Sequence, residues 1–212
     1  MARPVVIVGC GGFGREVRDV IDACIASGQD WDFLGYVDDD PSEPHHAAVA
    51  RSQDKVLGGM EWLEDAPKET HVFIGIGTGS VKANIDAQLT RLGLSAGVLV
   101  HPTASMGRDV TLGPGSIVCA GVRLTTNIRL GRHVHLNLNT TIGHDVDVDD
   151  YVSINPLVAV SGNVRIGARS MIGTHAAILQ GLDLGPDSVV GGSALVVKDV
   201  DEGITVKGVP AR

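Results

Sequence analysis

The sequence predicts two domains: a small α/β domain of the Rossmann-like type over residues 1–97, and a parallel β-solenoid of hexapeptide repeats over residues 98–212. Two observations predict this. In the first part, strand-like and helix-like segments alternate, which is typical of a parallel sheet covered by helices. The second part repeats with a period of six, which fits neither the 3.6-residue period of a helix nor the two-residue period of a long strand.

Composition excludes several classes of function. The net charge is −8, so the chain lacks the excess of basic residues that is typical of a nucleic-acid-binding protein. Its three cysteines, Cys10, Cys24 and Cys119, show no metal or redox spacing, which favours reduced thiols in a cytosol. The apolar run at the N-terminus is too short for a signal peptide, and no stretch has the length of a membrane span. We therefore expect a cytoplasmic protein with neither nucleic acid nor membrane as a partner.

The first domain is predicted from five segments. They are a β-branched strand over Pro4–Gly9, a helix with apolar residues at helical spacing up to a stop at Gly28, strands over Phe33–Asp40 and Val72–Gly77, and a helix that ends near Leu92. Fewer than 100 residues is short for a complete dinucleotide domain. A domain that holds a nucleotide-sugar is the better match in size, and a dehydrogenase is not favoured.

A glycine-rich turn separates the first strand from the first helix. Residues Gly9–Gly14 fit G-x-G-x-x-G, a pattern in which backbone N–H groups approach a phosphate at a helix N-terminus. Because a strand precedes the turn and a helix follows it, we predict that Gly11, Gly12, Phe13 and Gly14 bind the substrate. The alternative is that these glycines only permit a tight turn and close helix packing.

Further candidate residues follow the other two predicted strands. Asp38 and Asp39 come at the end of the second strand, where a ribose or sugar hydroxyl could be held, and Gly77 ends the third. We assign all three to the substrate site. His45 and His46 are expected on a solvated loop, where no third metal ligand is evident.

The second domain carries a strict six-residue repeat. Every sixth residue from Leu112 is aliphatic for fifteen successive positions, and the residue two places earlier is small or β-branched at all of them except Leu182. The repeat predicts short strands joined by corners, with the aliphatic side chains stacked inside the coil and Gly or Asn at the corners. The fifteen positions are Leu112, Val118, Leu124, Leu130, Leu136, Ile142, Val148, Ile154, Val160, Ile166, Ile172, Ile178, Leu184, Val190 and Val196.

The hexapeptide pattern resembles that of the left-handed β-helix acyltransferases, and Gly208–Arg212 matches their G-x-P-A-[KR] ending. The start Gly9–Glu16, the Asp38-Asp39 strand end and His101–Ala104 resemble one subgroup, the sugar O- and N-acyltransferases of the NeuD/PglD type. The resemblance covers essentially the whole chain. It implies a left-handed β-helix of about five coils, with three hexads per coil. It also implies a homotrimer with active sites between subunits, acetyl-CoA as co-substrate without a required metal, and a role in polysaccharide biosynthesis.

The resemblance also implies roles for individual residues. His144 matches the catalytic base, Asp145 the acid that orients it, and Asn137 a substrate contact. An imidazole, with an unperturbed pKa of about 6.5, can accept the proton that an attacking amine or hydroxyl must lose. Because neighbours on a strand point to opposite sides, pairing His144 with Asp145 requires a corner at this point.

Three more residues match the acetyl-CoA site of the family. Gly162 matches a glycine whose backbone N–H binds the thioester oxygen, and Thr174 and Gly192 match backbone positions along the pantetheine arm. Gly162 lies eighteen residues after His144. Eighteen residues make three hexads, so the spacing predicts that the two residues stack in adjacent coils.

The expected activity is transfer of an acetyl group to an amino group of a nucleotide-activated amino sugar. No nucleophile relay is visible, so we expect direct attack in a ternary complex. Many amino-sugar members have His where this chain has Phe13, which leaves open an O-acetyltransferase of the sialic-acid type. A non-catalytic nucleotide-sugar-binding scaffold is the third alternative. The solenoid histidines lack the spacing of a zinc site, which disfavours a carbonic anhydrase.

Overall fold

The computed structural model describes residues 2–212. The first domain has a four-stranded, all-parallel sheet of order β3-β2-β1-β4. Its strands are β1 (Arg3–Val8), β2 (Trp31–Val37), β3 (Val56–Gly58) and β4 (His71–Ile74), and its helices are α1 (Gly12–Ala26), α2 (Glu43–Arg51) and α3 (Gly79–Leu92), with a 3₁₀ helix over Met60–Glu64. Because β1 lies between β2 and β4, the loops that follow β1 and β4 diverge and leave a crevice at the carboxyl edge of the sheet.

The first strand and helix form as the sequence predicts. The end of β1 is buried, and α1 buries one stripe that includes Val17 and Ile21. The helix ends at Ala26, and Gly28 follows with φ of +94°. A Cβ on Gly14 would overlap the backbone of Gly9, so close packing of the helix start against the strand end requires this glycine.

Two elements of the first domain differ from the expectation. His45 and His46 lie in α2, not on a loop, because Ser42 precedes the helix and a proline stands in its first turn. The three-residue edge strand β3 is too short for its pattern to indicate a strand. Strand β2 ends at Val37, so the acidic residues that follow lie in the loop at the sheet edge.

The second domain is a parallel β-helix of eighteen short strands in three sheets of seven, six and five strands. Paired strands from β5 to β21 are eighteen residues apart, as in Leu136 beside Val118 and Ile154, and β22 pairs with β20 at a separation of sixteen. The strands are β5 Leu99–Val100, β6 Ser105–Met106, β7 Val110–Leu112, β8 Ile117–Val118, β9 Arg123–Leu124, β10 Ile128–Leu130, β11 His135–Leu136, β12 Thr141–Ile142, β13 Val146–Val148, β14 Ser153–Ile154, β15 Ala159–Val160, β16 Arg165–Ile166, β17 Met171–Ile172, β18 Ala177–Ile178, β19 Asp183–Leu184, β20 Val189–Val190, β21 Leu195–Val196 and β22 Thr205–Val206.

The interior of the coil confirms the hexapeptide interpretation. Both inward positions of the repeat fill one continuous apolar cluster, which runs from Val118 to Val200. The coil is longer than the five turns expected, because β5 and β6 extend the register backwards and β22 extends it forwards. The glycines that follow the aliphatic residues do not carry the left-handed backbone of the corners. Gly143, for example, lies against the backbone of the next coil, and the positive φ falls two residues later.

The first domain covers one face of the β-helix. Residues of β1 and α1 share an apolar cluster with Leu99, Ile117 and Cys119 of the solenoid. The predicted domain boundary after residue 97 falls between α3 and β5. In the part of the chain that the structure describes, no helix combines the length and apolar character needed to cross a membrane.

A buried lysine of α3 joins the two domains. Lys82 has no exposed surface, and its Nζ donates to the carbonyl oxygens of His133 and Val152 at 3.0 and 3.1 Å and to Ser153 Oγ at 2.9 Å. Burial lowers its pKa well below the usual value. Ser153 Oγ in turn donates to the carbonyl oxygen of Gly77 at 2.7 Å. The loop after β4 is therefore tied to the β-helix through Lys82 and Ser153.

Asp86, one helical turn after Lys82, forms a second link between the two domains. Asp86 is 4% exposed and accepts hydrogen bonds from Arg132 (2.9 and 2.6 Å), His133 Nε2 (3.0 Å) and the Tyr151 hydroxyl (2.8 Å). Burial alone would raise the pKa of Asp86, but the hydrogen bonds from Arg132 and Tyr151 and the neighbouring His133 outweigh it and bring the pKa to about 2. The ionised carboxylate fixes α3 against the solenoid.

Candidate active site

His144 and Asp145 lie at the corner that follows strand β12. Asp145 has a left-handed backbone with φ of +59°, which turns its side chain to the same side as that of His144. His144 Nδ1 lies 2.7 Å from Asp145 Oδ2, and Asn127 Nδ2 donates to Asp145 Oδ1 at 2.6 Å. Because a carboxylate only accepts, Nδ1 carries the hydrogen and Nε2 is left as a proton acceptor. The corner that the sequence required is present.

The carboxylate of Asp145 is ionised and is held by hydrogen bonds from Asn127 and His144. The hydrogen bond from Asn127, followed by that from His144, lowers the pKa of Asp145 below its ordinary value. The side chains of His144 and Asp145 are 50% and 45% exposed, so both are open to a bound molecule. The arrangement fixes one tautomer of His144 and leaves Nε2 accessible.

Gly162 stacks on His144 in the next coil, as the eighteen-residue spacing predicts. A Cβ on Gly162 would come within 2.5 Å of His144 Nε2 and Cε1, so only glycine fits beside this imidazole. The Gly162 N–H donates to no group within residues 2–212. A free backbone donor thus lies beside a free imidazole nitrogen, a combination that suits an oxyanion and a base.

Asn137, Thr174 and Gly192 lie at a different corner, between the sheets of β11 and β12. Thr174 and Gly192 are stacked there, since a Cβ on Gly192 would lie 3.3 Å from the Thr174 carbonyl oxygen. Asn137 is 6% exposed, and its Nδ2 lies 3.4 Å from Asn155 Oδ1. A single chain does not bring these residues together with His144, because a full face of the coil separates the two corners.

A cleft of about 190 Å³ lies between the two domains beside Asn137. We call it the interdomain cleft. It brings together three residues that the sequence assigns to the substrate site: Phe13, Gly77 and Asn137. It is lined by Phe13, Glu16, Gly77, His135, Asn137, Ser153, Asn155, Pro156 and Met171.

A second cleft, of about 260 Å³, opens at the carboxyl edge of the sheet. We call it the sheet-edge cleft. Gly9, Asp38 and Asp39 line it together with Ile76, whose chain neighbour Gly77 lines the interdomain cleft. The two clefts therefore lie on either side of the loop that follows β4.

The aspartates of the sheet-edge cleft also have structural partners. Asp38 Oδ2 accepts from the Cys10 N–H at 2.9 Å, and Asp39 Oδ1 accepts from the Met60 N–H at 2.7 Å. Asp38 thus braces the glycine-rich turn, a role that the sequence did not indicate. Asp38 Oδ1 also accepts from the Asp40 N–H at 3.3 Å, so both oxygens of this carboxylate have backbone partners.

The glycine-rich turn leaves its helix N-terminus open. Helix α1 has neither a side-chain cap nor an acidic residue in its first turn, and a Cβ on Gly12 would meet open space. A Cβ on Gly11 would lie 3.7 Å from His45 Cε1, so a histidine of α2 stands beside the turn. Sequence reasoning missed His45 because it did not predict α2. Within residues 2–212, no group of three His, Cys, Asp or Glu side chains could hold a metal ion.

Comparison with known proteins agrees with this geometry. Residues 4–89 match the family model of the PglD N-terminal domain. GDP-perosamine N-acetyltransferase of Escherichia coli is 28% identical over 97% of this chain and 94% of its own length. PerB of Caulobacter crescentus in complex with CoA and GDP-perosamine is 27% identical, with a TM-score of 0.86 over 99% of this chain and 96% of that one. The acetyltransferase domain of PglB from Neisseria gonorrhoeae with acetyl coenzyme A is 28% identical, with a TM-score of 0.88 over 100% and 99%.

The fold is that of a hexapeptide-repeat acyltransferase with a left-handed β-helix, the hand that the family resemblance implies. Its first domain is of the PglD N-terminal type. Along its whole length the chain resembles the sugar acyltransferases of the NeuD/PglD type.

Proposed function

We propose that this chain transfers the acetyl group of acetyl-CoA to the amino group of a nucleoside-diphosphate amino sugar. The observation that carries the proposal is the corner at which Asn127, Asp145 and His144 form a hydrogen-bonded chain beside the free N–H of Gly162. Relatives that match the whole chain are a GDP-perosamine N-acetyltransferase and an enzyme with CoA and GDP-perosamine bound. We place the enzyme in the cytoplasm, a compartment that suits its three buried free cysteines.

The chemistry needs one base and one oxyanion donor. The acceptor nitrogen attacks the thioester carbon while His144 Nε2 takes its proton, and the carbonyl oxygen becomes an oxyanion next to the Gly162 N–H. The C–S bond then breaks as the intermediate collapses, and the imidazolium returns the proton to the leaving CoA sulfur. Asp145 keeps the imidazole in the required tautomer and stabilises its positive charge during the reaction.

The two clefts of the first domain fit a nucleotide-linked sugar. The sheet-edge cleft, with Asp38 and Asp39, suits the ribose and base, and the interdomain cleft, with Asn137, suits the sugar ring. The open N-terminus of α1 lies between them, where backbone N–H groups can bind the diphosphate. Both clefts border the loop after β4, so one extended ligand can occupy both.

We further propose that the working enzyme is a homotrimer. Asn137, Thr174 and Gly192 occupy one corner of the coil, and His144 with Gly162 occupy the next. In this arrangement the acceptor binds beside the first domain, and the pantetheine arm of acetyl-CoA lies along Thr174 and Gly192. The base must then come from a different corner. A second copy that presents its His144 corner to this groove completes the site, and closed cyclic symmetry repeats the arrangement.

Incubation with acetyl-CoA and a panel of nucleoside-diphosphate amino sugars, read by CoA release and product mass, tests the activity. We expect an N-acetyl product that resists hydroxylamine, with kcat reduced by about 10²–10⁴ in His144→Ala. A hydroxylamine-labile ester would instead indicate the O-acetyltransferase, the alternative that the apolar Phe13 side chain in the cleft favours. Full activity of His144→Ala would contradict the mechanism.

Mixing two inactive variants tests the shared site. His144→Ala and Asn137→Ala subunits, mixed and reassembled, form some sites that have both residues intact. We therefore expect activity to return on mixing. A mixture that stays inactive, or a chain that is monomeric at working concentration, would contradict the trimer.

A further inference from the structure

His135 is a buried imidazole that the mechanism does not use. Its side chain has no exposed surface, and neither Nδ1 nor Nε2 has a hydrogen-bond partner within residues 2–212. A buried polar atom without a hydrogen-bond partner destabilises the fold. Such groups are uncommon, and each calls for an explanation.

The position of this imidazole links it to the interdomain cleft. His135 lies on the outer face of β11, between Ile117 and Ser153 of the neighbouring strands, and it lines the cleft together with Asn137. The aromatic ring of Phe13 packs against it, with ring centroids 4.8 Å apart. Phe13 is only partly buried and lines the interdomain cleft, so it lies between His135 and the space that a ligand would occupy.

The surroundings keep this imidazole neutral. Burial lowers the pKa of His135 well below its ordinary value, and nearby Lys82 and His133 act in the same direction. A neutral imidazole has one N–H donor and one acceptor nitrogen. A sugar hydroxyl, which both donates and accepts, matches this pair, whereas a phosphate offers acceptors only.

We propose that His135 is a specificity-determining residue that hydrogen-bonds a hydroxyl of the acceptor's sugar ring once the Phe13 ring has shifted. The inference rests on the proposed function, because it assigns the sugar ring to the interdomain cleft. The ring nitrogens of His135 then find a hydrogen-bond partner only in the complex with the acceptor. His135 and Phe13 together discriminate between acceptors by the position of that hydroxyl.

The variant His135→Leu separates this role from a structural one. Because the change removes two unpartnered polar atoms, we expect Tm to be unchanged or higher. We expect the KM of the acceptor to rise roughly tenfold, because the hydroxyl loses its partner, while the KM of acetyl-CoA is unchanged. Thr70→Val is the matched control: Thr70 Oγ1 is also buried without a partner, but it precedes β4, at the end of the strand opposite the clefts. That variant should leave both KM values unchanged.

A binding measurement completes the test without relying on turnover. In ¹⁵N-histidine-labelled protein, the His135 ring resonances are assigned by their loss in His135→Leu, and GDP-perosamine is added without acetyl-CoA. We expect these resonances to shift. An unchanged acceptor KM in His135→Leu, or unmoved resonances at saturating GDP-perosamine, would overturn the inference. Failure of the wild-type chain to acetylate any acceptor would instead overturn the proposed function, and the resonance shift would still decide whether this site binds a sugar.

Discussion

Gly162 lies against the imidazole of His144 one coil away, and a Cβ at this glycine would come within 2.5 Å of Nε2. Nε2 of His144 and the free backbone N–H of Gly162 are therefore neighbours that leave no space for a side chain between them. The contact follows from the eighteen-residue stacking of the coil, which holds both groups on rigid corners. Preorganised groups of this kind are the main source of electrostatic stabilisation in enzymes.

Gly162→Ala is expected to impair catalysis without unfolding the chain. The added methyl group displaces the imidazole, so we expect kcat to fall by roughly 10–100-fold with a small change in Tm. The double variant Gly162→Ala/His144→Ala should have nearly the same kcat as His144→Ala alone, because the added methyl group then has no imidazole to displace. Additive losses in this double-mutant cycle would show that Gly162 acts independently of His144.

Asn127→Ala tests the orientation of the base. Asn127 makes the leading contribution to the low pKa of Asp145, so its removal raises that pKa towards the ordinary carboxylate value. The carboxylate then becomes protonated at a higher pH, which carboxyl ¹³C NMR titrations of Asp145 in the wild type and Asn127→Ala measure. Superimposable titration curves would contradict the assigned role.

Asp86→Asn tests the second link between the domains. The folded-state pKa of about 2 lies below the unfolded value near 3.9, so ionised Asp86 adds stability, on the order of 2 kcal/mol, at neutral pH. That contribution is present above about pH 4 and is lost as the pH falls towards 2. Urea unfolding at several pH values should show a smaller loss of stability between pH 5 and 3 in Asp86→Asn than in the wild type. Equal slopes would contradict the assignment.

Lys82→Met tests how the loop after β4 is positioned. Methionine fills the buried space but makes none of the three hydrogen bonds, so Ser153 and the Gly77 carbonyl lose their fixed arrangement. We expect the KM of the acceptor to rise several-fold while the KM of acetyl-CoA is unchanged. Ser153→Ala, which removes the hydrogen bonds of this hydroxyl to Lys82 and Gly77 but leaves the two carbonyl bonds of Lys82 in place, should reproduce this effect. If Lys82→Met lowers Tm and Ser153→Ala leaves the acceptor KM unchanged, Lys82 is only a structural link.

The repeat made much of the fold predictable. Inward residues spaced by six can be buried in one way only, so the positions from Leu112 to Val196 determined the coil and the stacking of Gly162 on His144. The strand before Gly9 and the helix after it were equally clear, because periodicity and glycine placement agreed. Helix α2 and strand β3 were missed because short segments at a sheet edge are formed by tertiary contacts and have weak local patterns.

By itself, the sequence determined the coil, the parallel α/β domain and the stacking of Gly162 on His144, because local spacing and burial specify each of them. Only the tertiary structure decided which face of the coil the first domain covers, and hence that Phe13 meets His135 and that Gly77 meets Asn137 in one cleft. It also decided that Asn137 and His144 lie at different corners. These relationships join residues far apart along the chain or on separate faces, and no periodicity within either domain encodes how one packs on the other.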